Sequence, residues 1–377
     1  MVKRILGLDI LRSIAILVVL LMHSGHFLVP LFKVPVVGIV IRRLVGIMNF
    51  MGELGVELFF NLSGFLIGTI LIKTFLKTDF DFKIIKNFWI RRWFRTLPNY
   101  YLFLFLNVIF FVIINRENLF YFEYIVFLQN FTSKIYPFFK ESWSLAIEEW
   151  FYLTLPPLIL ILKKIMRNYN PKKILFVTFL IYFLIFFIHK TIAVFSGNIS
   201  ETRGVVIYRL DTMIIGVFMS YFVHYYKERI FYYKNVLLFI SVTLFIISFV
   251  LLIGGEYPGI NLSKFYWFGK LKNILLLNLF AISFSLLIPY FLNIETSKNA
   301  FINKLFTLVS EISYSLYLIH FSILDVLLFS RFQNDTVLSS LIIYFSYMSA
   351  TFGLSLIIYK YYEMPLTKLR EKLSNKE

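Results

Sequence analysis

The chain has 377 residues, of which 59% are apolar, 20% aromatic and only 16% charged, and its formal net charge is +17. This composition is typical of polytopic membrane proteins and excludes an ordinary soluble domain. The absence of cysteine excludes disulfides, a thiolate nucleophile and a thiolate metal site. Because the basic residues lie in short loops between apolar runs, we expect a lipid bilayer as partner and no nucleic acid.

Ten apolar runs of about 20 residues each predict ten membrane-spanning helices. An all-α polytopic transmembrane helix bundle is therefore the predicted fold, with a single membrane domain over residues 1–365, no separate soluble domain and a short charged tail over 366–377. Segments 31–52 and 119–131 are too charged or too short to span, so we expect interfacial or re-entrant pieces there. The predicted spans lie at 8–30, 54–76, 97–115, 143–162, 173–193, 205–226, 235–254, 273–292, 305–329 and 338–361.

The loops on one side of this topology hold most of the basic residues. The positive-inside rule makes that side cytoplasmic and places both termini there. The abundance of Phe, Ile, Lys, Asn and Tyr is typical of an AT-rich bacterial gene. We therefore expect an integral protein of the bacterial inner membrane.

The first predicted helix contains an arginine and a histidine. Arg12 and His23 are eleven residues apart, which returns them to within about 20° of one helix face at about 16 Å of rise. An arginine inside the membrane costs about 2.5 to 3.5 kcal/mol, so a partner or a function is expected. A common cavity is one interpretation. The other is an Asp9–Arg12 pair at the interface, with the histidine merely near the headgroups.

Two further helices carry polar residues, the second within the membrane and the third at the cytoplasmic mouth of the bundle. In the second helix, Glu57 lies in the outer half and shares a face with Asn61 and Gly64. For Asn61 we favour close helix packing and interhelical hydrogen bonding over chemistry. In the third helix, Arg92 and Arg95 lie on one face beside Trp93. They form either an interfacial anchor or a fork for phosphate oxygens.

The fourth helix begins with a polar stripe, because Ser144, Glu148 and Tyr152 recur every four residues. The adjacent Glu149 points about 100° away from that stripe. Two carboxylates in an apolar helix are costly, so packing alone is a weak explanation, although one of them could pair with Arg209. Glu148 is the better candidate for chemistry.

Later helices add a charged pair and a second stripe. Arg209 and Asp211 either neutralise the carboxylates of the second and fourth helices or contact substrate. Ser313, Tyr317 and His320 form a stripe in the ninth helix. We interpret His320 as a hydrogen-bonded interior residue rather than a second base. The sequence contains no ligand spacing such as a His-x-x-x-His pair, so no metal site is expected.

Taken together, these residues resemble the acyltransferase-3 family of integral-membrane acyltransferases, which modify cell-surface polysaccharides and other acceptors. Each piece is a weak signal, but the pieces follow the family's order along nearly the whole chain. Ile10 and Trp150 depart from the family's usual glycine and glutamine, which bears more on the acceptor than on the chemistry. The chain resembles the stand-alone form of the family, without an appended esterase-like domain. The matching pieces are residues 8–12 with His23, 55–67, 91–95, 143–152, 209–211, 312–320 and 363–365.

The resemblance implies that Arg12 and His23 are needed for transfer, that Arg92 and Arg95 contribute to an acyl-CoA site, and that the Glu148 region belongs to the acceptor pocket. We accordingly expect an O-acetyltransferase that binds no permanent cofactor and uses acyl-CoA, most simply acetyl-CoA, as donor. The acceptor would be a hydroxyl of a cell-envelope or exported glycan.

Residue roles follow from this hypothesis. His23 would be the base, with Arg12 and Glu148 as further catalytic residues. Glu148 would orient His23, stabilise its protonated form or bind sugar hydroxyls, and both direct transfer and an acyl-histidine are open. A transporter or flippase is the main alternative, since buried Arg, His and Glu also mark translocation pathways. A non-catalytic scaffold is a third. The donor phosphates are assigned to Arg91, Arg92 and Arg95, and the supporting residues are Glu57, Asn61, Ser144, Glu149, Arg209, Asp211, Tyr317 and His320.

Overall fold

A computed structural model of the protein describes residues 4–115, 122–133, 139–197, 202–253 and 266–368. These residues form helices, with no strand among them, and nine helical stretches are long and apolar enough to cross a membrane. With the shorter α6 they coincide with the ten predicted spans, which confirms the all-α polytopic bundle. Residues 369–377 of the predicted tail lie outside the described residues. The helices are α1 (Leu6–Ser24), α2 (Val37–Lys77), α3 (Phe82–Asn115), α4 (Ser142–Ile165), α5 (Pro171–Phe195), α6 (Leu210–Tyr225), α7 (Lys227–Tyr232), α8 (Lys234–Ile253), α9 (Tyr266–Leu292), α10 (Ala300–Ile319) and α11 (Val337–Ile358).

Segment 31–52 was predicted to be an interfacial or re-entrant piece apart from the second span, and its separation from that span is wrong from residue 37 onward. Those residues are the first part of α2, which runs unbroken for 41 residues, or about 60 Å at 1.5 Å per residue. This length is about twice the hydrocarbon thickness. Arg42 and Arg43 are exposed on this extension. They interrupt the hydropathy but do not break a helix, and no proline occurs between residues 37 and 77.

The second segment expected to be interfacial, 119–131, is described from residue 122 onward. It contains one 3₁₀ turn, Phe122–Tyr124, followed by turns. Tyr124, Gln129 and Asn130 are fully buried. The described part of the segment is therefore a loop that buries some side chains in the protein and exposes others, such as Phe122 and Leu128.

Helix α2 forms the centre of the bundle, where it packs against α1 on one side and α6 on the other. Glycines allow these approaches. A Cβ atom on Gly64 would lie 2.2 Å from the carbonyl oxygen of Met213, and one on Gly216 would lie 2.3 Å from that of Asn61. Small residues at such crossings are the usual means of close packing between membrane helices. The packing expected around Asn61 is therefore present.

The chain changes its helical geometry after α10. A nine-residue π-helical segment, His320–Leu328, continues directly from α10. Its first residue, His320, is completely buried. The wider turn begins at the last residue of the polar stripe Ser313, Tyr317 and His320.

Candidate active site

The last turn of α1 brings His23 to a cavity of about 390 Å³. This volume lies within the range of small-ligand pockets. The walls combine aromatic rings with acidic and basic groups, which suits a polar ligand of about the size of a sugar ring. We call this cavity the His23 pocket. Its chemically distinctive lining residues are His23, Glu53, Lys140, Glu141, Trp143, Arg203, Tyr317 and Phe321.

His23 is held by one ring nitrogen. Its Nδ1 atom lies 3.0 Å from the carbonyl oxygen of Val19 and 3.2 Å from the Nε2 atom of His320. The ring of Phe321 packs against it at 4.3 Å between centroids. Nε2 of His23 makes no hydrogen bond to any residue that the structure describes. His320, expected to be a hydrogen-bonded interior residue, is therefore the direct neighbour of His23.

Glu141 forms a buried wall of the pocket immediately before α4. Its carboxylate accepts a hydrogen bond from the hydroxyl of Ser322, and the Ser322 backbone N–H donates to it at 3.3 Å. Burial raises the pKa of Glu141 to about 7, although these two hydrogen bonds oppose the shift. Glu141 was not among the residues predicted for the site. Its position three residues before Ser144, the first residue of the polar stripe, was the sequence signal that could have identified it.

Ser144 connects the pocket to the stripe of α4. Its hydroxyl lies 2.7 Å from that of Tyr317, which donates to the carbonyl oxygen of Glu141 at 3.0 Å. Glu53 and Arg203 close another part of the pocket through an ion pair at 2.5 Å. The pocket therefore contains the predicted residues His23 and Tyr317, with Ser144 and His320 in contact with them.

Glu148 has other partners than those expected. It accepts hydrogen bonds from Ser63 at 2.9 Å and from the hydroxyl of Tyr152 at 2.7 Å, and a nitrogen of Arg92 lies 3.6 Å away. None of these described contacts is with His23, so the predicted role of Glu148 in orienting His23 would have to be indirect. The reason is depth along α4: Ser144, one turn earlier, is the stripe residue that reaches the pocket.

Tyr152 connects Glu148 to the arginines of α3. The hydroxyl of Tyr152 accepts from Arg92 at 2.5 Å, and the Arg92 guanidinium lies 4.2 Å from the centre of its ring. On the neighbouring face of α4, Glu149 is buried and accepts a hydrogen bond from Thr96 at 2.8 Å. Both carboxylates of α4 therefore face α3, and neither pairs with Arg209.

Arg12, Arg92 and Arg95 form a group that we call the arginine cluster, in which the charges of Arg12 and Arg95 each interact with that of Arg92. Arg12 makes no hydrogen bond or ion pair with any described residue, and the same holds for Arg95, which is exposed. The alternative Asp9–Arg12 pair does not form. Asp9 instead accepts from Arg4 at 2.5 Å and from Ser310 at 2.7 Å.

Arg91 lies outside this arrangement. It is exposed on α3, one residue away from the face that carries Arg92 and Arg95. No ion pair joins it to a described residue. Its assignment to the donor phosphates stays a prediction.

The other predicted residues form buried pairs between helices. Arg209 donates to both oxygens of Glu57, at 2.6 and 2.5 Å, and Asn61 accepts from Ser285 at 2.5 Å. Asp211 is paired with Lys190, which sequence reasoning missed although it is a lone cation in the fifth apolar run. None of these residues lines the His23 pocket.

The family model described as "Acyltransferase domain" matches residues 5–360. A protein of Staphylococcus aureus (strain COL), named "Putative O-acetyltransferase", is 26% identical over 383 residues, which cover 96% of this chain and 57% of the relative. The peptidoglycan O-acetyltransferase of Listeria monocytogenes is 36% identical over 140 residues, 33% of this chain and 22% of that protein. The chain thus spans little more than half the length of the first of these relatives. No solved structure matches it significantly.

Proposed function

The chain belongs to the acyltransferase-3 family, and we propose that it is an integral-membrane O-acetyltransferase acting on the cell envelope. The donor is acyl-CoA, most simply acetyl-CoA, and the acceptor is a hydroxyl group of an envelope glycan. The names of the S. aureus and L. monocytogenes relatives support the acetyl group, and the latter makes peptidoglycan the first acceptor to test.

The observation that carries this proposal is the division of one site between two ends of α1. The arginine cluster includes Arg12, near the start of the helix, whereas His23 lies in its last turn at a cavity. Eleven residues separate them, about 16 Å of rise. An extended pantetheine arm is of comparable length, so phosphates at one end and a thioester at the other fit this spacing.

The arginine cluster has the chemistry to bind the donor's phosphates. Guanidinium groups bind phosphate oxygens through paired hydrogen bonds. Arg12 and Arg95 have no partner among the described residues, although an unpaired cation in a membrane protein is costly. A bound polyanion would supply the missing partners. Arg92 is held in place by Tyr152 and Glu148.

His23 is the proposed general base. It takes the proton from the acceptor hydroxyl as the hydroxyl oxygen bonds to the thioester carbon. The carbon–sulfur bond then breaks, and the imidazolium returns the proton to the CoA sulfur. A positioned base of this type contributes roughly 10² to 10⁴ in rate. Transfer is direct in this scheme, so a trapped acyl-histidine would contradict it.

The proposed orientation follows from the donor. Acyl-CoA is cytoplasmic, so the arginine cluster faces the cytoplasm and the His23 pocket faces the opposite side of the cell membrane. Both termini are then cytoplasmic, in agreement with the basic loops of the sequence.

The test is release of CoA thiol from acetyl-CoA by the purified chain, titrated with peptidoglycan fragments and with a crude envelope-glycan fraction. We expect acceptor-dependent release that is lost in a folded His23→Ala variant. Full release by that variant would disprove the assignment of the base. If neither acetyl-CoA nor other acyl-CoA donors release CoA, a transporter is favoured instead, because transport does not require CoA release.

A further inference from the structure

Two histidines from distant parts of the chain meet beside the His23 pocket. The Nε2 atom of His320 lies 3.2 Å from Nδ1 of His23, and the two rings meet at 67°. His320 is completely buried, and its other nitrogen, Nδ1, lies 2.7 Å from the carbonyl oxygen of Tyr317. Both nitrogens of the buried ring therefore have a neighbour.

The positions of the hydrogens follow from these neighbours. A carbonyl oxygen only accepts, so Nδ1 of His320 carries a hydrogen, and Nε2 of the neutral ring is an acceptor. Nδ1 of His23 faces that acceptor and the carbonyl oxygen of Val19 at 3.0 Å, so it also carries a hydrogen. Neutral His23 then has a bare Nε2. That nitrogen makes no hydrogen bond to a described residue.

We propose that His320 is the positioning residue of the base: it accepts the Nδ1 hydrogen of His23 and thereby keeps the bare Nε2 available for the acceptor hydroxyl. This inference rests on the proposed function, in which His23 is the base. When His23 takes the substrate proton, the imidazolium keeps its hydrogen bond to neutral His320. The Val19 carbonyl oxygen also accepts a backbone N–H of α1. Nε2 of His320 takes no part in that backbone hydrogen bonding, so it is the acceptor that serves the His23 side chain alone.

The π-helical segment His320–Leu328 supports this role. Helical irregularities of this kind occur frequently at functional sites. The segment makes two more contacts here: Phe321 packs on the ring of His23, and Asp325 lies 3.1 Å from Nε2 of His26, in the 3₁₀ segment Gly25–Lys33 that follows α1. These contacts join the π-helical segment to the end of α1 and to the turn that follows it.

Two amide variants of His320 differ in whether they keep a hydrogen-bond acceptor for Nδ1 of His23. His320→Gln places an amide oxygen near the position of Nε2, where it can accept from His23. His320→Asn keeps an amide beside Tyr317 but is too short to reach His23. We expect Asn to lower kcat by about 10- to 100-fold with little change in the acceptor KM, and Gln to restore most of the loss. His189→Asn is the matched control, because His189 stacks on Tyr208 and does not line the pocket.

The decisive readout is the histidine tautomer, measured by nitrogen NMR on protein labelled with ¹⁵N-histidine and assigned with His23→Ala. In the wild type we expect His23 with hydrogen on Nδ1 and a bare Nε2. This form should persist in His320→Gln and give way to a mixture in His320→Asn. A wild-type His23 protonated on Nε2 would overturn the inference without any variant.

An unchanged tautomer in folded His320→Asn would also overturn it, since Val19 alone would then suffice. Either result leaves His23→Ala as an independent test of the base. If His23→Ala is fully active while the tautomer behaves as expected, the contact exists but the proposed function fails.

Discussion

One nitrogen of Arg209, Nη2, lies 2.6 and 2.5 Å from the two carboxylate oxygens of Glu57, and both side chains are buried. This contact joins the start of α6 to the middle of α2, close to the glycine crossing of the same helices. Lys190 and Asp211 form a second buried pair between α5 and α6. Some of the buried charged residues of this membrane protein therefore form interhelical pairs apart from the candidate site.

The buried pair makes a stability prediction. Arg209→Met leaves the Glu57 carboxylate buried without a partner, which costs about 3 to 5 kcal/mol. We expect a large fall in the thermal midpoint of the purified protein in detergent. Arg209→Met combined with Glu57→Leu should recover most of this loss, because both charges are then removed. An equal fall in the thermal midpoint of the double variant would show that the shape of these side chains, and not the unpaired charge, accounts for the loss of stability. Asp79→Asn, at an exposed ion pair with Lys163, is the control and should have no measurable effect.

The number and type of the helices were predictable, because apolar runs of spanning length are a strong signal. The extension of α2 was not, since Arg42 and Arg43 lower the hydropathy without interrupting backbone hydrogen bonds. Hydropathy measures whether a residue suits lipid. It does not measure whether the backbone hydrogen bonds of a helix continue.

For the candidate site, the sequence allowed prediction only of how residues of the same helix lie relative to one another. The spacing of Arg12 and His23 and the stripe of Ser144 and Glu148 depend on one helix's geometry, and the structure keeps them. Partners between helices were missed: His320 lies 297 residues from His23 in the chain, and Asp9 accepts a hydrogen bond from Ser310 of α10. Such contacts depend on helix rotation and tilt, which periodicity does not fix.

The glycine crossing makes a second stability prediction. In Gly216→Ala the new methyl group would lie 2.3 Å from the backbone oxygen of Asn61, which cannot move without separating α2 from α6. Overpacking of this type costs about 1 to 3 kcal/mol, so the thermal midpoint should fall. Gly353→Ala is the matched control, since nothing lies within 4 Å of its Cβ position in α11. Alanine is the better helix former there. Equal thermal midpoints of the two variants would contradict the close contact of α2 and α6 at Gly216.

Glu141 makes the stability of the protein depend on pH. Burial raises the pKa of its carboxyl from 4.5 to about 7 in the folded chain. Between these two values the folded state keeps a proton that the unfolded state has lost, so stability falls as pH rises. The stabilisation is complete below pH 4.5 and is lost as pH rises toward 7.

Glu141→Gln tests this dependence, because the amide keeps hydrogen-bonding capacity but does not titrate. We expect the variant to match the wild type near pH 4.5 and to be more stable above pH 7, as measured by thermal midpoints across this range. Glu53→Gln, which removes an accessible carboxylate of the same pocket, is the comparison and should not flatten the profile. A wild-type profile that rises over this window would show that Glu141 is ionised in the folded protein.

The arginine cluster makes the last prediction, on donor binding. Arg95 has no partner among the described residues, so Arg95→Lys changes its interaction with a ligand without breaking an internal contact. Lysine keeps the charge but loses the planar fork. If the fork holds a phosphate of acyl-CoA, the donor KM should rise about 10- to 100-fold with kcat nearly unchanged. The acceptor KM should not change.

Arg92→Lys should raise the donor KM as well, and it should also lower the thermal midpoint, because Arg92 is bonded to Tyr152 beside Glu148. Arg91→Lys tests whether the exposed Arg91 takes part in donor binding. Arg167→Lys, at an exposed position after α4, is the control for the loss of a surface guanidinium group. A donor KM that stays unchanged in all four variants would indicate general electrostatic attraction of the donor, because lysine keeps the positive charge. A rise confined to Arg92 and Arg95 would establish a phosphate site on one face of α3, because these two arginines lie three residues apart on that face.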